Sequence, residues 1–186
     1  MRPVAAFALL ALALVSSGCA SSRKNPAPWE GFDRGSAAVP LVLAGVAVVD
    51  GREEVDPRPF EWSDLRPAKT IAVHPPITDE HRALIAAELE RCFTGGGRPV
   101  TVVADVTAGQ QTFTTGKEGV RVVAEFEILL TFIDPATKRQ RFQTSGGTAF
   151  RLGGKIASRK DADTFFKKAI RGAVHESMHR AAGAFR

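Results

Sequence analysis

The chain has 186 residues, of which 44% are hydrophobic and 24% are charged, and its formal net charge is +5. It contains no tyrosine and only two tryptophans. This composition argues against the aromatic platform typical of sugar or nucleobase stacking, and we expect no nucleic-acid partner. No internal repeat or low-complexity segment is present.

The N-terminus has the arrangement of a bacterial export signal. Arg2 provides a positive start, and residues 4–15 form an apolar run that is too short to span a bilayer as an ordinary helix. Small residues then lead directly to Cys19. This start resembles that of bacterial lipoprotein precursors, in which such a cysteine is lipidated and becomes the first mature residue. Ser16 departs from the pattern, which prefers Leu or Val three positions before the cysteine, so an ordinary signal that releases a soluble periplasmic protein is the alternative.

The resemblance to lipoproteins implies a division of the chain into three parts. Residues 1–18 are then a signal peptide, residues 19–37 a lipidated cysteine with a flexible tether rich in Ser, Pro and Gly, and residues 38–186 one periplasmic domain. Ala20 after the cysteine resembles lipoproteins that are sent to the outer membrane. Cys92 would be a lone thiol, and its place at the end of an apolar helix pattern predicts that it is buried.

The first half of the domain reads as two strands and a helix. Residues 39–49 are apolar and β-branched and predict a strand that ends at an Asp-Gly turn. Residues 51–68 predict a proline-rich loop that Phe60 and Trp62 pin to the core. Residues 70–73 predict a short strand, and a helix is expected from residue 78 to the glycines at 95–97.

The second half reads as three strands and a long helix. Alternation predicts a strand at residues 100–107, a polar loop, and a clear strand at residues 120–132, which a turn at 134–137 connects to a returning strand at residues 138–151. A helix with an apolar stripe starts at Ser158 or Asp161. The predicted fold is therefore α+β, with a mostly antiparallel sheet of about four to five strands and two helices packed on one face.

The stretch VHESMHR near the C-terminus contains the His-Glu-x-x-His spacing of zinc peptidases. On a helix, His175 and His179 could bind one zinc ion while Glu176 acts as general base. However, helical periodicity turns both histidines away from the apolar stripe and toward solvent or a partner. Residues 180–186 also supply no third ligand of the kind that zinc peptidases take downstream. We therefore expect no metal, no cofactor and no catalysis, and we interpret the motif as a coincidence.

Charge is distributed unevenly along the chain. Residues 138–186 contain 12 Lys or Arg and 3 Asp or Glu, whereas residues 19–137 contain 12 and 17. Outside the inner membrane, a basic surface could meet lipopolysaccharide, phospholipid headgroups, peptidoglycan or an acidic protein. A solvated basic face is the alternative.

The lipoprotein-like start, the strand that runs into Asp50-Gly51-Arg52, and three later strands closed by the helix DADTFFKKAIRGAVHESM together resemble a YajG-like group of small outer-membrane lipoproteins. The resemblance covers most of residues 39–182 and implies a lipid-anchored domain at the periplasmic face of the outer membrane. The architecture is also similar to that of LptE of lipopolysaccharide assembly, although the Cys-Gly-Phe start of that group is absent here.

These observations favour a non-enzymatic module, anchored through Cys19, that binds another envelope component through its sheet, a strand edge or the basic face of its last helix. Two alternatives stay open. One is a zinc-dependent hydrolase that uses His175, Glu176 and His179. The other is a lipid-transport or lipopolysaccharide-assembly accessory protein that shields acyl chains behind six phenylalanines, namely Phe126, Phe132, Phe142, Phe150, Phe165 and Phe166.

Overall fold

A computed structural model describes residues 37–58, 60–65, 67, 69–144 and 150–185, without the side chains of residues 150–152. Six strands and two helices follow in the order β1 (Val42–Asp50), β2 (Thr70–Val73), α1 (Asp79–Glu90), β3 (Pro99–Gly116), β4 (Gly119–Ile133), β5 (Gln140–Thr144), β6 (Phe150–Ile156) and α2 (Arg159–Ala184). A short 3-10 turn, Trp62–Asp64, interrupts the loop before β2. Within the described part of the chain, no helix is long and apolar enough to cross a membrane.

The sheet is built around the long antiparallel pair β3 and β4. Along the other side of β3, β1 pairs in parallel with its first half and β2 pairs antiparallel with its second half. Along the other side of β4, β5 and β6 each pair antiparallel. Both helices pack on one face of this sheet. The predicted α+β class and the mostly antiparallel sheet are confirmed, with six strands where four to five were expected.

Strand β3 is much longer than its sequence pattern indicates. Residues 108–116, predicted as a polar loop, continue the strand to Gly116 and pair with both β2 and β4. The register shifts between Val106 and Ala108, so the buried positions change from even to odd residue numbers. After this bulge, Gly109, Gln111 and Phe113 take the inward positions. A glycine and a glutamine at inward positions hide the alternation, which is why the strand prediction was wrong here.

The returning strand predicted at residues 138–151 is in fact two strands. β5 pairs with β4 near Phe132, whereas β6 pairs with β4 from Val120 to Phe126. The predicted glycine bulge at residues 146 and 147 lies outside the described residues. The turn before β5 is confirmed, because the Asp134 carboxylate accepts from the backbone N–H groups of Ala136 and Thr137 and from Arg141.

Both helices start where the sequence predicts, and each has a capping residue. The Ser158 side chain accepts from the Asp161 backbone N–H at the start of α2. At the start of α1, Thr78 does the same with His81, while the His81 ring accepts from the Thr78 N–H. Helix α1 ends at Glu90 rather than at the glycines of residues 95–97, which lie in the turn that leads to β3.

The main core lies between the sheet and the two helices. It contains the inward residues of β4 and the apolar stripe of α2, as their spacing predicts. Cys92 is 3% exposed, and burial, with a smaller contribution from the Glu88 charge, raises its pKa to about 11. Phe60 stacks on Phe113 with 4.3 Å between ring centroids and so ties the loop to the sheet. Trp62, in contrast, is 37% exposed.

Candidate functional site

The zinc-peptidase-like motif lies in the second half of α2, and its two histidines have different surroundings. Both histidines were predicted to face solvent or a partner, and this is wrong for His175. Its side chain is 15% exposed, and its Nε2 lies 3.4 Å from Glu88 Oε2 on α1. His179 is exposed on the outer side of the helix, as expected. Glu176 accepts from Arg180 Nε at 3.1 Å, one turn further along the helix.

Glu88 is the centre of a charged cluster between the helices. Its side chain is 5% exposed, and its Oε1 accepts from Arg91 Nη1 at 2.9 Å and from Arg171 Nε at 3.2 Å. Together with His175, these two guanidinium groups surround the carboxylate. Two positive charges beside the carboxylate make it a poor ligand for a dication, because they would repel the metal. The cluster therefore ties α1 to α2.

No three His, Cys, Asp or Glu side chains of the described residues come together in a way that could hold a metal ion. His74 lies 3.6 Å from Glu54, and His81 lies 3.6 Å from Asp163. Neither of these pairs joins His175. The hypothesis of a zinc hydrolase thus has no third ligand in the part of the chain that the structure describes.

A direct measurement of metal content tests the motif. We expect the purified chain to hold no stoichiometric zinc after dialysis, and a His179→Ala variant to behave identically, because His175 faces Glu88 and its two arginines rather than a ligand wall. His74→Ala is the matched control for nonspecific binding. Zinc that survives dialysis and is lost only in His179→Ala would contradict this expectation.

Two basic residues of α2 form ion pairs with carboxylates of α1. Lys167 Nζ lies 2.6 Å from Glu80 Oε1 of α1 and 2.7 Å from Asp163 Oδ2, and its side chain is 22% exposed. Hydrogen bonds to Asp163 and then to Glu80 raise the pKa of Lys167. Arg171 is held in the same way by Glu88. The acidic and basic parts of the chain thus attract each other within this domain.

Four of the phenylalanines considered for shielding acyl chains contact other aromatic rings, namely Phe126, Phe132, Phe142 and Phe166. Phe126 and Phe166 are at most 1% exposed and meet edge to face, with 5.7 Å between ring centroids. Phe132 is fully buried and contacts Phe142 and Phe185. These rings fill the space between helices and sheet.

The Asp50-Gly51-Arg52 sequence, which predicts only a turn, proves to be a buried polar centre. The Arg52 side chain is 3% exposed, and its Nε and Nη2 each donate to the Asp50 carboxylate at 2.7 Å. It also donates to the carbonyl oxygens of Gly109 and Pro75, both at 3.0 Å. Arg52 therefore joins β1, the bulged part of β3 and the loop before α1.

Strand β1 has one edge with which no described strand pairs. Among the described strands it pairs only with β3. A groove of about 390 Å³ runs beside it, lined by the backbone and side chains of residues 41–46 and by Glu90, Phe93 and Gly95. Val42 and Val49 are 41% and 47% exposed. An unpaired strand edge beside a groove is a site at which another polypeptide can add a strand.

The hydrogen bonds show which backbone groups of β1 are directed outward. The Gly51 N–H donates to Val106 O of β3, and backbone groups of a strand alternate in direction. The N–H groups of Val46 and Val48 are therefore directed away from β3. In agreement, Val48 O accepts from Arg82 Nη1 at 3.0 Å rather than from a strand. Arg82 covers one end of the edge, and no described strand pairs with the part next to the groove.

The sequence also singles out two further groups of residues. Cys19 and the predicted signal lie outside the described residues, so lipidation stays a prediction. Glu125 and Glu127 lie on the sheet face opposite the helices, in register with Gln110 and Ala108 of β3.

Comparisons with known proteins give only a distant likeness. No protein-family model matches the chain, and no curated protein matches it. Among solved structures, the crystal structure of protein XCC0632 from Xanthomonas campestris, assigned to family DUF330, is similar with a TM-score of 0.40 and 15% sequence identity. The similarity covers 78% of this chain and 84% of that one.

Proposed function

We propose that the chain is a non-enzymatic, lipid-anchored module of the bacterial cell envelope that binds an extended segment of a partner protein along the edge of β1. The signal-like N-terminus with Cys19 supports the anchor. The observation that carries the binding function is the unpaired edge of β1 beside its groove. Backbone hydrogen bonds to such an edge supply affinity, and pockets beside the strand select side chains.

The edge is a better contact surface than the basic face of α2. Lys167 and Arg171 are already paired with Glu80 and Glu88 of α1, so a partner would have to break these ion pairs. None of the described residues forms a comparable ion pair in the groove beside residues 42–46. The groove is formed by Val42, Leu43, Val46 and half-buried Phe93, with Glu90 at its margin. We expect the added segment to carry small or medium apolar side chains at alternate positions.

A proline at Val46 tests this proposal. Because the Val46 N–H is directed outward, Val46→Pro removes a hydrogen bond to an added strand without removing one to β3. Val46→Ala is the matched control, since it shortens the same side chain and keeps the N–H. A photo-crosslinking residue at Ala44 of the full chain, expressed in an envelope that contains the partner, should give one specific crosslinked protein.

The crosslink should persist in Val46→Ala and be lost in Val46→Pro, with both variants folded by circular dichroism. An equally strong crosslink in both variants would show that the partner does not bind at the edge. The same conclusion would follow if the crosslink persisted in Val46→Pro and were lost when Lys167, Lys168 and Arg171 are changed to Glu.

The lipid anchor is tested separately by Cys19→Ala. This variant should be released from the membrane fraction, and the purified domain should still crosslink to added partner. If Cys19→Ala stays in the membrane fraction, the anchor is wrong and the edge is still tested.

A further inference from the structure

A separate cavity of about 170 Å³ lies at the opposite end of α1 from the groove, between the first turns of both helices and β3. Its inner wall is formed by residues that are each less than a tenth exposed, namely His81, Gln111, Phe113, Ala162 and Phe166. The ring of Phe60, stacked on Phe113, and the rings of Pro75 and Pro76 complete the apolar lining. A site of this kind, apolar with few polar groups, is typical of small-ligand binding.

Both polar side chains of the inner wall make a hydrogen bond within the protein. The Gln111 amide donates to Ala162 O at 2.8 Å. His81 accepts from the Thr78 N–H through Nδ1, so this nitrogen carries no proton, and burial lowers the pKa of the ring. The interior thus presents aromatic and aliphatic surface to an occupant. An apolar group of about the size of one large side chain would fit it.

The mouth of the cavity carries an available positive charge. Arg159, the first residue of α2, lines the cavity and is exposed, and no carboxylate of the described residues lies within ion-pair distance of it. Asp163, one turn further along, also lines the cavity, but it is bound to Lys167 at 2.7 Å. Arg159 is therefore the cation of the cavity lining that has no carboxylate partner among the described residues. An anion at the first turn of α2 would also meet the positive end of the helix dipole.

We propose that this cavity binds an apolar group that bears a carboxylate, with the apolar part against Phe113 and Phe166 and the carboxylate paired with Arg159. A free small carboxylate and the C-terminal residue of a polypeptide share this chemistry. The site is distinct from the edge of β1 and does not depend on the function proposed above. A bidentate pair between a guanidinium and a carboxylate supplies both orientation and affinity.

Binding of two defined probes to the full chain tests the proposal. Phenylpropionate represents the free carboxylate, and N-acetyl-Gly-Phe with a free C-terminus represents the polypeptide end. We expect saturable binding of at least one of them in a calorimetric or NMR titration, and affinity about tenfold weaker for the corresponding amide because the charge-assisted pair is lost. Tighter binding of the peptide would identify a polypeptide end as the ligand, and tighter binding of phenylpropionate a free acid.

Two variants locate the bound probe. Arg159→Gln should weaken binding about tenfold, whereas Lys160→Gln, which removes the same charge from the next residue, should leave it unchanged. Ala162→Leu, which fills the cavity, should abolish binding. The proposal is overturned if neither probe saturates, if Ala162→Leu binds as well as the parent, or if acid and amide bind equally. Arg159 is exposed, so its variant stays informative even if Ala162→Leu fails to fold.

Discussion

Replacing Arg52 with alanine is expected to lower the free energy of unfolding by about 3–5 kcal/mol, the range for removing one partner of a buried charge pair. The guanidinium is 3% exposed and donates to the Asp50 carboxylate and to two carbonyl oxygens. Its loss removes these donors from two carbonyls and from a carboxylate that keeps only the backbone N–H groups of Arg52 and Ile77. Lysine should restore less than half of the loss, because an ammonium group cannot reproduce the planar set of donors. Urea unfolding followed by circular dichroism measures the difference.

Arg121→Ala is the matched control for Arg52→Ala, since its side chain is 65% exposed and its ion pair with Glu118 is at the surface. We expect a change within about 0.5 kcal/mol. Equal effects of the two alanine variants would show that the buried centre is not needed for stability.

The same pair gives a pH dependence with a defined sign. The hydrogen bond from Arg52 holds the pKa of Asp50 below its ordinary value. A lowered pKa in the folded state means that the stabilisation is complete above the unfolded pKa and is lost as the pH falls through the folded one. The stability difference between the parent chain and Arg52→Ala should therefore shrink below about pH 4, where carboxylates take up protons. A difference that grows in acid would contradict the assignment.

Replacing Glu88 with alanine is expected to lower the free energy of unfolding by about 2–3 kcal/mol, because hydrogen bonds to a buried charged group are lost together. Glu88 is 5% exposed, but its partners Arg91 and Arg171 are 61% and 43% exposed, so they can regain water. This makes the expected loss smaller than for Arg52. Glu88→Gln keeps one acceptor and should lose less.

Glu90→Ala is the control for Glu88→Ala, since Glu90 is exposed on the same helix. A double-mutant cycle between Glu88→Ala and His175→Ala measures whether the motif histidine contributes to the contact between the helices. We expect a coupling energy of about 0.5 kcal/mol or more, as is typical of residues in contact. A coupling of zero would show that His175 does not contribute to this contact.

The sequence allowed the regular elements to be predicted wherever one rule acted along the chain. The alternation of apolar residues from Val120 to Phe132 defined β4, and the stripe of α2 was found with its cap at Ser158. The prediction failed where a bulge changed the inward positions of β3 after Val106. There, pairing with β2 and β4 on both sides stabilises a strand in which Gly109 has little preference for this conformation.

The candidate sites could be predicted less well, because they depend on residues far apart in the sequence. A strand edge was among the expected contact surfaces, but only the pairing of the strands identified β1 as the one beside a groove. The cavity near Arg159 is built from the loop at Phe60, the start of α1, β3 and the start of α2. No local pattern indicates that these four segments meet.

The sequence by itself determined the α+β class, the amphipathic helices, the burial of Cys92 and the uneven charge, because each follows from side chains within one segment. Only the tertiary structure decided which charged side chains pair with one another. It placed Glu88 of α1 against His175 and Arg171 of α2, and it buried Arg52 between β1, β3 and a loop. The physical reason is that a charge keeps its hydration unless a partner replaces it, and that partner comes from another part of the chain.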